Sequence, residues 1–341
     1  MGKIVTFGEI MLRLSPNGFN RLFQNDQFQA TFGGAEANVA VSLANFGEDV
    51  SFVTKLPDNP IGDGAVRCLR SFGADTSFIT RGGERVGVYY LEKGADQRGS
   101  VCIYDRRGSS FAMAERSDFN WDMIFDGADW FHFPGITPAL GKNVFEICRE
   151  ACAAAKRRGM TVSCDLNYRS KMWTKEEAGA AMTELCSYID VCIANEEDAK
   201  CVFGLEADKT DVLAGKINKA GYKSVSEKLI NKFGFSHVAF TFRTSHSATV
   251  NDWSGMLFDG RDFFLSKEYH IDCIVDRVGG GDSFGAGLIY SLRKGYDPQR
   301  VIDFAAAASA LKHSIEGDFN RVGVDEVIRL ADGDGSGRVR R

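Results

Sequence analysis

The chain has 341 residues, a formal net charge of −5 and 44% hydrophobic residues, enough for one large α/β domain with an insertion or for two modest domains. The mildly acidic balance argues against nucleic acid or an anionic membrane as a main partner, and no apolar run approaches the length of a membrane span. The N-terminus lacks a signal-peptide pattern, and nine dispersed cysteines without a C-x-x-C pair read as reduced core thiols of a cytoplasmic protein, while five histidines, none within four residues of a second, read against a zinc site.

A strand is predicted at residues 4–7, then a helix at 36–45 closed by Gly47, a strand at 50–54 and a helix at 61–72 closed by Gly73. Between 86 and 113 the rhythm changes: 88–91 and 101–104 read as strands joined by a Gly-containing turn, hence as antiparallel structure. With the segment from about 11 to 32 they would form a small inserted sheet, either a lid or a plain hairpin at a sheet edge. Further on, the pattern predicts a strand at 130–133, a helix at 143–158, and strands at 161–164, 191–194 and 237–242. Ile274 and Val275 read as the end of a strand, and Phe284, Leu288 and Leu292 recur at helical spacing until Gly295. No repeat is present, and the Gly-rich, basic tail 333–341 reads as solvated. The alternation predicts an α/β fold: a mainly parallel central sheet with helices on both faces, plus the small β-sheet, in a single domain spanning 1–341.

The most informative stretch is 276–287, Asp-Arg-Val-Gly-Gly-Gly-Asp-Ser-Phe-Gly-Ala-Gly. Glycines ahead of a helix let backbone N–H groups approach an anion, and the helix N-terminus adds partial positive charge. Asp282 in that field would repel a bound phosphate. It makes sense as a base that takes a proton from an attacking hydroxyl while the amides hold a transferred phosphoryl group; the alternative is a helix-capping Asp after a flexible turn. There is no G-x-x-x-x-G-K-[ST] loop, and the glycine spacing misses G-x-G-x-x-G, which leaves a nicotinamide-dependent dehydrogenase without its fingerprint. Polar sets fall at other strand ends as well: Gly33-Gly34-Ala35-Glu36-Ala37-Asn38, Asp165-Leu166-Asn167-Tyr168-Arg169 and Asn195-Glu196-Glu197-Asp198. Ligands bind at the carboxyl ends of strands in open parallel sheets, so these sets point to one shared site.

The two Gly-rich stretches, at 33–38 and 276–287, resemble the signatures of the ribokinase-like, or PfkB, carbohydrate kinases, and the resemblance runs from residue 4 to about 330. Within that family the segment 7–14, the pair Tyr104 and Arg106, Asp165-x-Asn167-Tyr168-Arg169 with Trp173, and Gly317-Asp318-Phe319-Asn320 are most similar to kinases of 2-keto-3-deoxygluconate. The resemblance implies ATP and Mg²⁺ as cofactors, admits a monovalent cation, and implies phosphorylation of the 6-hydroxyl of a small sugar acid by a homo-oligomer. It makes Asp282 the base and the amides of Gly279, Gly280 and Gly281 the anion hole, with Arg169 able to reach the transferred phosphate. It places Gly33, Gly34, Asn38, Tyr89, Tyr104, Arg106, Arg169 and Asp318 at the substrate, and Asn167, Asn195, Thr241, Arg243, Gly279 and Gly281 at ATP.

A planar guanidinium suits a carboxylate, which favours a sugar acid; surface salt bridging is the other fate of Arg106 and Arg169. Tyr90 rivals Tyr89, since alternation turns one of them inward. Asn195 with Asp198 would organise Mg²⁺ through water. Asp198 stands where the family carries Glu, so either a water fills the gap or Glu197 substitutes. The segment 241–246 stands where many relatives carry a glycine-containing loop, and Arg277 and Gly280 replace Thr and Ala of the commonest pattern. The competing expectations are a kinase of a neutral sugar such as fructose or ribose, and a silent sugar-binding homologue, against which the intact Asp282 and its glycines argue.

Overall fold

The structure, a computed structural model, describes residues 1–207, 218 and 221–337; the last four residues of the basic tail lie outside them. Among the described residues a nine-stranded sheet runs in the order Phe263–Leu265, Asn251–Phe258, His237–Ser245, Val191–Asn195, Thr161–Asp165, Ala128–Pro134, Lys3–Phe7, Val50–Val53, with Tyr269–Ile271 also paired to Asn251–Phe258. The six strands from His237–Ser245 to Val50–Val53 are mutually parallel, and the remainder form an antiparallel edge. The expected alternation of strands and helices is therefore present, and every predicted strand and helix up to residue 242 appears within a few residues of its expected bounds.

Alternation along the strands sends side chains to two cores. Phe7, Phe131 and Phe133 pack on one face with the helix Lys142–Arg157, while Ile4 and Trp130 pack on the other with Ala35–Asn45, Gly280–Arg293 and Pro298–Lys312. Gly287 belongs to this packing: a Cβ there would lie 2.9 Å from the Ala305 Cα, so the glycine lets Gly280–Arg293 lie close on Pro298–Lys312. The nine cysteines are all free, and five are buried. No described helix is long and apolar enough to cross a membrane.

The second sheet has four strands, in the order Gln29–Gly33, Met11–Ser15, Val88–Glu92, Val101–Asp105. The expected hairpin between 88 and 105 is antiparallel, and Val88–Glu92 joins Met11–Ser15 in parallel. In the strand Met-Leu-Arg-Leu-Ser the fully buried positions are Met11, Arg13 and Ser15, while Leu12 and Leu14 are half-buried. Hydrophobic alternation alone would turn the leucines inward; two carboxylates waiting on the other side reverse it.

One expectation fails. Ile274 and Val275 do not end a strand: Tyr269–Ile271 stops three residues earlier, and the pair forms a connector whose N–H groups donate to the carbonyls of Thr249 and His313, at 2.9 and 2.8 Å. The segment 241–246, which stands where many relatives carry a glycine-containing loop, continues the strand His237–Ser245 as far as Ser245.

Candidate active site

A cleft of about 420 Å³ opens between the carboxyl ends of the parallel strands and the inner face of the four-stranded sheet. Its floor is the turn before Gly280–Arg293. The N-cap is Gly279, held at φ 83, so Asp282 is not the cap; it lies in the first helical turn. Helix geometry leaves the first N–H groups without intrahelical acceptors, and Gly279, Gly280 and Gly281 line the cleft, the Gly280 N–H reaching the Arg277 carbonyl at 3.4 Å. A Cβ on Gly279 would sit 2.0 Å from the carbonyl oxygen of Asp318, so this position combines a left-handed backbone with a close approach. Gly279→Ala is expected to destabilise the fold by more than the roughly 1–2 kcal/mol of the left-handed conformation alone and to lower kcat. Wild-type denaturation midpoints in the variant would remove the turn from the argument.

Asp282 is part-exposed to the cleft yet enclosed by protein. Burial raises its carboxyl to about 6, partly opposed by the hydrogen bond from Asn38. The Asn38 Nδ2 donates to Asp282 Oδ2 at 2.6 Å, and its Oδ1 accepts the N–H of Gly34 at 3.3 Å. Asn38, expected at the substrate, thus joins the two Gly-rich stretches and orients the candidate base.

Most of the expected residues line this one cleft: Gly34, Asn38, Tyr89, Tyr104, Arg106, Asn167, Arg169, Asn195, Thr241, Arg243, Gly279, Gly280, Gly281, Asp282 and Asp318. Gly33 does not. Its α-carbon packs on the Asp318 carboxylate, where a Cβ would come within 2.0 Å. Asp318 reaches the cleft wall but is not a free acceptor: Arg13 Nη1 donates to it at 2.8 Å and the Tyr89 hydroxyl at 2.6 Å. Tyr89, not Tyr90, is the buried tyrosine, and its ring stacks on Tyr104 with centroids 5.8 Å apart.

The two candidate substrate arginines differ. Arg106 Nε donates to Glu9 at 2.7 Å, its Nη2 pairs with the same carboxylate, and Ser109 donates to the other oxygen of Glu9. Arg169 donates to the carbonyl of Tyr168 at 2.9 Å but has no salt bridge among the described residues, so its charge stays open to the cleft. Thr241 and Arg243 line the cleft too, Arg243 near Arg277, whose guanidinium donates to the Ala248 carbonyl at 2.6 Å.

Asp198 departs from expectation. It is buried and does not line the cleft; its oxygens accept the N–H groups of Asn195 at 2.9 Å and Tyr168 at 3.0 Å, stitching two strand ends together. Asn195 Oδ1 in turn accepts the N–H groups of Glu197 and Asp198. The carboxylates that these two strand ends present to the cleft are Asp165, Glu196 and Glu197. Burial raises Asp165 well above the carboxylate range, reinforced by its neighbours Asp198 and Asp282, and burial raises Glu196 to about 7. Crowded, protein-enclosed carboxylates of this kind suit a hard cation with oxygen ligands. Next to Asp165, Asn167 holds φ 41, a rare conformation for a side-chain-bearing residue and one that concentrates at functional sites.

Four residues escaped sequence reasoning: Arg13 and Lys312 beside Asp276, and Glu36 and Glu9 in the cleft wall. Arg13 bridges Asp276 Oδ2 at 2.5 Å and Asp318, and Lys312 Nζ donates to the carbonyls of Ile315 at 3.0 Å and Asp276 at 3.4 Å. Burial lowers Lys312 to about 8. Glu36, within the first Gly-rich stretch, is buried and protonation-prone, its carboxyl raised well above the usual range by burial; Glu9 is its neighbour in the cleft wall. The available signal was charge inside apolar runs: Arg13 between leucines, Glu36 among alanines, Lys312 at the end of an alanine-rich helix.

The chain that brings together a glycine-rich helix start, a raised carboxylate beside it and the open Arg169 guanidinium has clear relatives. A 2-dehydro-3-deoxygalactonokinase of Haloferax volcanii is 31% identical over 335 residues, covering 98% of each chain. A 2-dehydro-3-deoxygluconokinase of Thermoproteus tenax is 27% identical, over 93% of this chain and 90% of its own. The crystal structure of 2-dehydro-3-deoxygluconokinase from Thermotoga maritima superposes with a TM-score of 0.94 at 51% identity, over 98% of this chain and 100% of that one. Residues 1–319 match the profile of the pfkB family carbohydrate kinases, and the chain belongs to that family of sugar kinases.

Proposed function

We propose that this kinase transfers the γ-phosphoryl group of ATP to the 6-hydroxyl of 2-keto-3-deoxygluconate (2-dehydro-3-deoxygluconate), giving the 6-phospho product and ADP. The observation that carries the reading is Asp282, raised to about 6 and fixed by Asn38, in the first turn of the helix whose N-terminus faces the cleft. Asp282 takes the hydroxyl proton as the new O–P bond forms and the bond to the ADP oxygen breaks. The amides of Gly279, Gly280 and Gly281 hold the charge on the transferring oxygens. Arg169 supplies the cation for the sugar carboxylate or the phosphoryl group, and Arg106 with Glu9 shapes the wall above it. Thr241, Arg243 and Asn167 contact ATP. Mg²⁺ would be held through water by Asn195 with Asp165 and Glu196, Asp198 positioning Asn195, and it would neutralise phosphate charge. The four-stranded sheet, with Tyr89 and Tyr104 over the sugar, excludes water. Its edge strand Val101–Asp105 exposes Val101 and Ile103, a face suited to pairing with a second copy. The names of the Thermoproteus and Thermotoga relatives support the gluconate-derived acid, and that of the Haloferax relative supports its galactonate-derived epimer as the second reading.

The test is ADP release with MgATP and each keto acid, fructose or ribose. Turnover on a keto acid with little on the neutral sugars is expected. Arg169→Ala is expected to cut kcat/KM for the acid by roughly 10²-fold, the scale of a lost charge-assisted contact of about 2–3 kcal/mol. Preference for a neutral sugar would overturn the sugar-acid assignment, and unchanged kinetics in Arg169→Ala would return Arg169 to a structural role.

A further inference from the structure

A second cluster lies outside the cleft, on the antiparallel edge of the main sheet. Asn251–Phe258 pairs on one side with His237–Ser245 and on the other with Tyr269–Ile271, and Asp252 stands directly opposite His270. His246 follows the end of the first strand and folds back, its N–H donating to the Val250 carbonyl at 3.0 Å. One ligand atom from each of His246, Asp252 and His270 then falls within 4.8 Å of the others. His246 Nε2 lies 2.6 Å from Asp252 Oδ2, and His270 Nδ1 lies 2.5 Å from Asp252 Oδ1. We infer that these three side chains form a binding site for one transition-metal cation of the zinc class, separate from the kinase cleft.

The two ring nitrogens stand at hydrogen-bond distance from Asp252, so a metal ion enters by displacing the protons between them, and the second contact of His270 favours that exchange. His270 faces a carboxylate with both ring nitrogens, Asp252 through Nδ1 and Asp272 through Nε2 at 2.8 Å. An ion-pair reading needs both nitrogens protonated. In a metal site Nδ1 binds the ion while Nε2–H donates to Asp272, the outer carboxylate that fixes the tautomer of a ligating histidine. Two imidazoles and one carboxylate select Zn²⁺, Ni²⁺, Co²⁺ or Cu²⁺ over Mg²⁺ or Ca²⁺. All three side chains keep solvent access, so water completes the coordination. Histidine spacing along the chain hides such a site, because cross-strand pairing and a hairpin end bring the ligands together.

The position gives the ion a structural role that does not depend on the identity of the sugar. The turn between His246 and Asp252 supplies the Ser247 and Ala248 carbonyls that hold Arg277, at 3.3 and 2.6 Å, and the Thr249 carbonyl that accepts the N–H of Ile274. Tyr269–Ile271 leads into the connector that ends at Gly279. A cation shared by His246 and His270 therefore ties the hairpin end to the chain entering the glycine turn.

The test uses chelator-treated full-length protein carrying Cys273→Ser, because the exposed Cys273 lies three residues from His270 and could capture metal itself. Titration with Zn²⁺ by calorimetry is expected to show one saturable equivalent and a rise in Tm. Co²⁺ is expected to give tetrahedral absorption bands without a thiolate band. His246→Gln and His270→Gln, both exposed positions, are each expected to weaken binding at least tenfold. Asp272→Asn is expected to weaken it about 10–100-fold, the usual cost of losing an outer carboxylate. No saturable Zn²⁺ binding, or binding that survives His246→Gln combined with His270→Gln, would overturn the site. Unchanged affinity in Asp272→Asn would overturn the assignment of His270 Nδ1 as the ligating atom.

Discussion

Asp282→Asn is expected to lower kcat by about 10²–10⁴-fold, the range for removal of a general base, while ATP affinity stays within a few-fold of wild type. The amides of the glycine turn remain in place in the variant, and the substituted carboxamide can still meet Asn38, so the loss isolates proton transfer. The pH dependence carries the same information. Burial raises the Asp282 carboxyl from its ordinary 3.8 to about 6, and a base acts in its ionised form. The kcat/KM of the wild type is therefore expected to fall as pH drops through about 6. Glu196, raised to about 7 by burial, titrates in the same cleft, so the profile is best measured in Glu196→Gln as well. The limb near pH 6 that persists there and is lost in Asp282→Asn belongs to Asp282, separate from the more strongly raised Asp165. Stability supplies an independent control. A carboxyl whose folded value exceeds its unfolded one disfavours the fold in full above the folded value, and that cost vanishes below the unfolded value. Asp282→Asn removes it, so the variant is expected to be at least as stable as wild type at pH 8. A variant that is both fully stable and near-normal in turnover would remove Asp282 from the chemistry.

The parts legible in the sequence are those governed by local rules. Strand and helix periodicity, with Gly47, Gly73 and Gly295 each adopting positive φ after a helix, sets out the layered α/β core. Polar residues clustered at strand ends identify the cleft. What is not legible depends on contacts between distant segments. The Asn38–Asp282 bond joins helices 244 positions apart, and nothing local to Asn38 separates holding a carboxylate from holding a sugar. Asp318 reads as a substrate residue after Gly317 until Arg13 and Tyr89 are seen to occupy it from the other sheet. Asp198 reads as a metal carboxylate until the amides of Asn195 and Tyr168 are seen to occupy it. Arg13 is the plainest case, because its strand suggests the opposite face.

Arg13→Ala is expected to cost about 3–5 kcal/mol of folding stability, the scale for breaking a buried ion pair and leaving charge uncompensated. Arg13, Asp276 and Asp318 are each at most 3% exposed, so neither carboxylate can turn to water when the guanidinium is lost. The fork geometry matters as well as the charge: one nitrogen meets Asp276 and another meets Asp318. Arg13→Lys is accordingly expected to recover only part of the loss. Asp276 also accepts the N–H groups of Val278 at 3.1 Å and Gly317 at 3.2 Å, which places the ion pair one short step from Gly279. Disturbing it should therefore lower kcat through the shape of the anion-binding turn, in addition to lowering stability. Urea denaturation together with steady-state kinetics separates the two effects. Combining Arg13→Met with Asp276→Asn and Asp318→Asn removes the stranded charges and is expected to restore much of the stability without restoring kcat. If Arg13→Ala costs less than about 1 kcal/mol, the surface-pair scale, the network does not anchor the four-stranded sheet to the glycine turn.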